Sequence, residues 1–397
     1  MNRQNELRSD LGAPRPGERF LRAFALWVGM IAAVTAAFLI FTLNLSPTGF
    51  FRIGDRFPPS PRVGALRPLV FAGEPGFDGQ FFLTIALDPL LQEPGSVAAL
   101  DEPGYRYRRI LYPALGWLLA GGVPWLIPWA LVAINVASFA ALCTLLAKGT
   151  DDSWWRGGLF FCCVGAWVSL FMSTADLLST LLVLAFLLDL ARHRPARASV
   201  LLGAAALTRE VNLVLMPVSL LAGWRDAKLR GVLYNAAALL PAVGWNVYVL
   251  QRFPSSRSIA GTTHNFGWPF EGLWAKATAM AASPFGVKPL MEAFLLASLL
   301  IAGAWCAGQR AWWRDERWVL AASSALFMLI ICLSSTQVLG YFVNHCRVFL
   351  PVLVIAAAGW PRPGQKSLTL GAVFTVQALG SLGFLITRFA AGGSLLP

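Results

Sequence analysis

Charge is what this chain has least of. Only 13% of its 397 residues are Asp, Glu, Lys or Arg, against roughly 25% in an average soluble domain. So few charges cannot clothe a water-facing surface of this size. A soluble enzyme, a disordered regulator and a secreted disulfide scaffold all become poor readings. Histidine is scarcer still: His193, His264 and His345 stand far apart and make no metal site alone. The six cysteines show no CxxC spacing and lie in or beside apolar blocks, where cysteine behaves as a small hydrophobe. No metal and no cofactor are expected. Acidic residues are outnumbered 20 to 32, for a net charge of +12. In a soluble domain that excess would suggest nucleic acid. Here the cations sit in short loops between apolar blocks, the pattern of positive-inside topology and contact with anionic membrane lipid. No nucleic-acid partner is expected.

What the chain has in excess is apolar sequence. Its mean hydropathy is +0.61 and 57% of its residues are hydrophobic, gathered into long blocks. It reads as an all-α polytopic membrane protein. Residues 1–22 form a charged tail assigned to the cytoplasm, and residues 23–397 a single transmembrane domain. The first apolar run, 23–43, is about 21 residues, enough to cross a hydrocarbon core of roughly 30 Å and longer than a signal-peptide core.

Further blocks lie near 110–120, 124–147, 157–173, 175–191, 199–222, 231–250, 291–308, 318–335, 347–360 and 367–387. The block at 110–120 is too short to cross. The block at 199–222 has basic loops on both flanks and is interrupted by Thr208-Arg209-Glu210, which reads as a broken, re-entrant pair of short helices. With these two departures the basic loops at 192–198, 224–230, 309–317 and 361–366 all fall inside. The loops at 45–108, 251–290 and 336–346 then fall outside. The sequence predicts about nine full spans, about 9–11 if partial ones count. The first external loop, 45–108, is unusually long, as functional or disordered loops are.

Ionisable residues at bilayer depth cost about 2.5–3.5 kcal/mol each, so they are functional candidates. Asp78, Asp176, Arg209, Glu210, His345 and Arg347 all fall on the external side of this layout. Gly76-Phe77-Asp78-Gly79-Gln80-Phe81-Phe82-Leu83-Thr84-Ile85-Ala86 reads as a short interfacial helix with Asp78 at its N-terminal end, where free N–H groups and the dipole keep a carboxylate ionised. Asp78 is a candidate base, or only a helix cap. Gln80 beside it, with Asp176, Glu210 and His345, is a candidate for binding substrate. Tyr105-Arg106-Tyr107-Arg108-Arg109 offers arginines that grip a phosphate, or that snorkel among interfacial tyrosines. Arg209 and Arg347 are the first choices for phosphate, Arg106 and Arg108 the second. His264-Asn265-Phe266-Gly267-Trp268 mixes polar and aromatic groups, as a sugar-binding wall or an interfacial anchor does.

Several of these stretches resemble a known family, the GT-C class of membrane glycosyltransferases, in the type of the second mannosyltransferase of GPI-anchor assembly. The similarity runs through Phe77-Asp78-Gly79-Gln80-Phe81-Phe82-Leu83-Thr84-Ile85-Ala86, Ile110-Leu111-Tyr112-Pro113, Ser173-Thr174-Ala175-Asp176-Leu177-Leu178 and Ala206-Leu207-Thr208-Arg209-Glu210, in the family's order over roughly residues 20–215. Phe77 and Phe81 stand where the family has tryptophan and histidine, and Asp176 where it has glutamate. The resemblance implies a GT-C-like fold and inverting transfer of a sugar, mannose in the family type, from a polyprenyl-phosphate-linked donor. Asp78 takes the base position. The acceptor is a glycan, lipid or protein, and the setting a bacterial inner membrane with the site facing the periplasm. The rival expectation is a polytopic transporter of lipid or lipid-linked saccharide without catalysis.

Overall fold

A computed structural model describes residues 16–147, 154–254, 265–282, 286–360 and 367–390. The described chain is an all-α, multi-pass membrane protein. Among the described residues, extended structure is confined to a two-residue parallel pair, Ile53–Gly54 with Val70–Phe71, and one antiparallel bridge, Phe266 with Ser334.

Five helices are long and apolar enough to cross a bilayer: Gly17–Phe41, Pro124–Ala147, Leu229–Arg252, Val287–Ala307 and Leu368–Ala390. The pair Trp154–Phe161 and Val164–Phe171 is apolar enough only when taken together, and it is bent by 59° at the Cys162-Cys163 break, as a broken span or a re-entrant loop is. Five such helices, or six spans with the pair counted as one, are fewer than the nine read from hydropathy, because several apolar blocks fold as shorter pieces. Asp176–Ala191 and Trp318–Leu333 have 16 residues each. The block at 347–360 is divided between Phe342–Val348 and Leu350–Ala358. The block at 110–120 forms only Leu111–Leu119, and the block at 199–222 breaks at Arg209 as the sequence suggests.

Around a buried apolar core, several of the long helices leave much of their apolar surface uncovered. Leu229–Arg252 is only 22% buried over its apolar window, whereas Pro124–Ala147 is 67% buried and central. Leu240, Val243, Leu379 and Leu382 are among the large apolar side chains left exposed. An apolar surface of that extent is tolerable only against lipid.

The long first loop, 45–108, is ordered. Gly76 takes a left-handed turn at φ 83°, Phe77 is extended, and the Asp78–Leu87 helix follows. This helix is not the half-exposed interfacial helix that its pattern suggests, since every residue from Gly79 to Leu87 is buried. Phe82, Leu83 and Ala86 join the main core, while Phe81 and Ile85 pack with Leu91, Leu100, Tyr107, Val249 and Phe253. The loop is stitched to the spans by a hydrogen bond from Trp245 Nε1 to the Tyr107 carbonyl (2.9 Å) and internally by one from the Tyr107 hydroxyl to the Pro89 carbonyl (2.6 Å).

Two glycines permit the approaches that bring the site together. A Cβ on Gly79 would strike the Met172 carbonyl and the Phe51 backbone, and one on Gly165 would strike the Cys346 carbonyl. Gly79→Ala is therefore expected to lower stability by about 1–3 kcal/mol, the usual cost of overpacking. Thermal unfolding in detergent checks this, and an unchanged midpoint would show that the helix tolerates a shift there.

Candidate functional site

The four sequence stretches quoted above, separated by up to about 130 residues, converge on one region. Gly79 lies against Met172. The rings of Phe82 and Tyr112 meet edge to face, 5.5 Å apart. The Tyr112 hydroxyl bonds the Ser173 hydroxyl (2.8 Å) and accepts from Asn135 Nδ2 (2.9 Å). These contacts pin Ser173 at φ 44°, an uncommon conformation for a residue with a side chain. The strained turn launches the Asp176–Ala191 helix with Asp176 at its first position. From the next helix, Arg209 forms an ion pair with Asp176, and Asn212 Nδ2 bonds Ser179 Oγ (2.7 Å), tying the break to its neighbour.

Above this pair lies a cavity of about 770 Å³. Its charged end holds Asp78, Arg106, Arg109, Arg209, Glu210 and Arg347, with Asp101 and Glu102 also in the wall. Val211, Val214, Ile330, Val338 and Phe349 line the remainder. Asp78, Tyr105 and Arg106 come from the first loop, Asn265 and Phe266 from the second, and Gln337 and Asn344 from the third, so all three segments assigned to one face line one cavity. Three of the basic loops, 192–198, 224–230 and 309–317, gather elsewhere: His193 bonds Asp226 at 2.9 Å and reaches Glu316 at 3.9 Å. These two clusters lie at opposite ends of the Asp176–Ala191 helix, about 24 Å apart at 1.5 Å per residue.

The charges form a chain of pairs. Asp78 accepts from Arg106 Nη1 through Oδ1 (2.7 Å) and pairs with Arg347 Nη2 through Oδ2 (2.6 Å). Arg347 Nη1 bonds Asp176 Oδ2 at 3.2 Å, and the Thr174 hydroxyl donates to the same oxygen at 2.6 Å. Arg106 also holds Asp101 in a two-point fork of 2.8 and 2.7 Å. Arg109 forks onto Glu210 at 3.0 and 2.8 Å, and also donates to the Tyr105 hydroxyl. Asn265 Nδ2 donates to that hydroxyl from the second loop at 2.9 Å. Burial alone would raise the Asp78 carboxyl, but Arg347, Arg106, Arg109 and Arg209 outweigh it and hold it well below the usual carboxylate range. Phe77, not Asp78, is the helix N-cap.

Of the residues singled out in the sequence, Asp78, Arg106, Arg209, Glu210, Asn265 and Arg347 line the cavity. Asp176 lies beneath it, 2% exposed, bonded to two of its arginines. Gln80 is turned away: its amide accepts from the Gly54 N–H and donates to the Pro75 carbonyl, holding the loop backbone. His345 is buried against the Leu339 carbonyl. Arg108 is absent from the lining and Arg109 is present. His264 lies outside the described residues.

Arg209 does not pair with the adjacent Glu210, its simplest partner in sequence. The backbone at Arg209 is extended (φ −152°, ψ 122°), and successive side chains on extended backbone point opposite ways. Asn344 is a contributor that sequence reading passed over, while Arg109 and Tyr105 belong to the quoted Tyr105–Arg109 stretch without having been singled out in it. For Arg109 a signal existed, since it stands three residues after Arg106 and so shares its helical face. Among the described residues, no group of three or more His, Cys, Asp or Glu side chains is placed to hold a metal ion, and all six cysteines are free. No protein-family model matches this chain, and neither does any curated protein or any solved structure.

Proposed function

We propose that this chain is a membrane glycosyltransferase, moving a sugar from a polyprenyl-phosphate-linked donor to the hydroxyl of an acceptor. The observation that carries this reading is the composition of the cavity. One carboxylate, Asp78, lies between two arginines in a cavity whose wall also carries Val211, Val214, Ile330, Val338 and Phe349. A lipid-linked sugar phosphate has the same division. The convergence of the four stretches that resemble the GT-C family supports the assignment. The clustering of basic loops at the far end of the molecule supports a cavity that faces away from the cytoplasm.

In this reading the acceptor hydroxyl gives its proton to Asp78 as its oxygen attacks the anomeric carbon. The bond from that carbon to the phosphate oxygen breaks, and its electron pair leaves with the phosphate. Arg347, Arg209 and Arg106 offset the developing charge. A single displacement inverts the anomeric centre. Mannose is the sugar suggested by resemblance, and a periplasmic setting follows from the same source.

The test is consumption of polyprenyl-phosphate hexoses by the detergent-purified protein, followed by mass spectrometry. Transport without transfer would leave every such donor intact. Arg209→Lys keeps the charge but loses the two-point fork, so donor affinity should fall about tenfold, roughly 1.4 kcal/mol, with the fold retained. Wild-type affinity in Arg209→Ala would remove Arg209 from the phosphate site.

A further inference from the structure

We infer that Asp78 occupies, at rest, the anion subsite meant for the donor phosphate, and that the arriving phosphate displaces it and so frees it to accept a proton. This inference rests on the phosphate site proposed above and adds to it an order of events. Both Asp78 oxygens are engaged, one by Arg106 and the other by Arg347. A carboxylate in that position is a poor acceptor for a substrate proton.

The arginines of the cluster are already matched without any ligand, and Glu102 adds a further carboxylate to the wall. Arg106, Arg109, Arg209 and Arg347 are matched by Asp78, Asp101, Asp176 and Glu210, each in an ion pair. An incoming phosphate leaves the cluster over-supplied with negative charge unless one carboxylate gives up its arginines. Three of the four are held firmly. Asp176 is buried and grips two arginines and the Thr174 hydroxyl. Glu210 and Asp101 are each held by a two-point fork. Asp78, like Asp176, makes one bond to each of two different arginines, but unlike Asp176 it lies in the cavity wall. It is the one carboxylate in that wall whose two oxygens are held by separate arginines, so a phosphate can take one of them without breaking a fork.

Two further features favour an outside anion. The Nε atoms of Arg209 and Arg347 are buried without a hydrogen-bond partner, and both guanidiniums border the cavity. Arg209, moreover, has no ion pair besides Asp176 among the described residues. A phosphate oxygen settling there shares Arg347 with Asp78 and competes for it. The exchange also accounts for how a carboxyl held so acidic by its neighbours serves as a base, because the neighbours change partner when the donor binds. The leaving group thereby arms the residue that drives its own departure.

Farnesyl phosphate, which carries no sugar, is the probe. Its affinity for the detergent-solubilised protein is measured by tryptophan fluorescence for wild type, Asp78→Asn and Glu102→Gln. Glu102 lines the same cavity with no ion pair among the described residues, so its neutralisation reports the general effect of removing one negative charge. Asp78→Asn should bind farnesyl phosphate about tenfold more tightly than wild type and clearly more tightly than Glu102→Gln. Equal gains in the two variants, or none in Asp78→Asn, would overturn the exchange and leave the glycosyltransferase reading standing. Absence of binding in every form would remove both. If Asp78→Asn does not fold, isotope-edited infrared spectra of ¹³C-aspartate wild type decide instead. Saturation with farnesyl phosphate should shift a carboxylate band, and an unshifted spectrum would end the proposal.

Discussion

Asp78→Asn is expected to lose sugar transfer by about two orders of magnitude or more, the usual worth of a general base, in a protein that still inserts and folds. The structure sets the cost to stability. Arg106 keeps Asp101 and Arg347 keeps Asp176 when the charge at 78 is removed, so neither arginine is stranded. The loss should be about 1–3 kcal/mol, the range for a hydrogen bond to a charged group. Turnover of a polyprenyl-phosphate hexose and thermal unfolding, read on the same preparation, separate the two effects. Wild-type turnover would end the catalytic role.

The same residue sets a pH signature. Because arginines depress the Asp78 carboxyl in the free protein, its stabilising contribution is present above the ordinary aspartate value, about 4. It is lost only as pH falls through the depressed folded value. In kcat/KM, which reports the free enzyme, no acid limb from Asp78 is expected near pH 4. In kcat, which reports the donor complex, the limb should appear at higher pH, since phosphate has by then taken the arginines. Coincident limbs would speak against that change of partners.

Asp176→Ala should be the most damaging single change. Asp176 is the one carboxylate that holds both Arg209 and Arg347, and removing it leaves buried cations facing each other. Breaking a buried pair in this way costs about 3–5 kcal/mol, enough to threaten folding outright. Asp176→Asn keeps the shape and the bond to Thr174 but not the charge, and is the informative variant. If Asp176 acts by positioning the arginines, stability and donor affinity should fall together. Had it bound the sugar directly, as the sequence suggested, KM would rise with the unfolding midpoint unmoved.

Charged residues in apolar surroundings were legible because they are expensive there, and Asp78, Arg209 and Arg347 stood out on that ground alone. Their pairing was not legible. Asp176 and Arg209 are brought together by an antiparallel helix pair, a contact that no local pattern records. Glu210 looked like the natural partner of Arg209 until the extended backbone at the break sent it to Arg109 instead. Between Arg108 and Arg109 the decision lay in helical phase across a helix of only five residues, Pro103–Tyr107, too short for periodicity to show. Hydropathy located the apolar blocks, but a window average is blind to a bend such as that at Cys162-Cys163. The burial of the Asp78–Leu87 helix on every side escaped its pattern for a related reason: Gly79, Gln80 and Thr84 look polar or small, yet each is enclosed by the loop around it.

During synthesis the Asp176–Ala191 and Pro195–Thr208 helices emerge as one continuous stretch, and their antiparallel packing returns Asp176 and Arg209 to the same end. A helix released alone into lipid would carry a lone charge at about 2.5–3.5 kcal/mol. Released together, the two helices carry a neutral pair. The acidic first loop has by then been translated, and Arg347 comes last, to carboxylates already in place. Arg347 thus meets waiting anions, whereas Arg109 waits for Glu210, 101 residues further along the chain. The pairing that holds Asp176 and Arg209 together at one end of two neighbouring helices thus also spares the membrane a lone charge as those helices enter it.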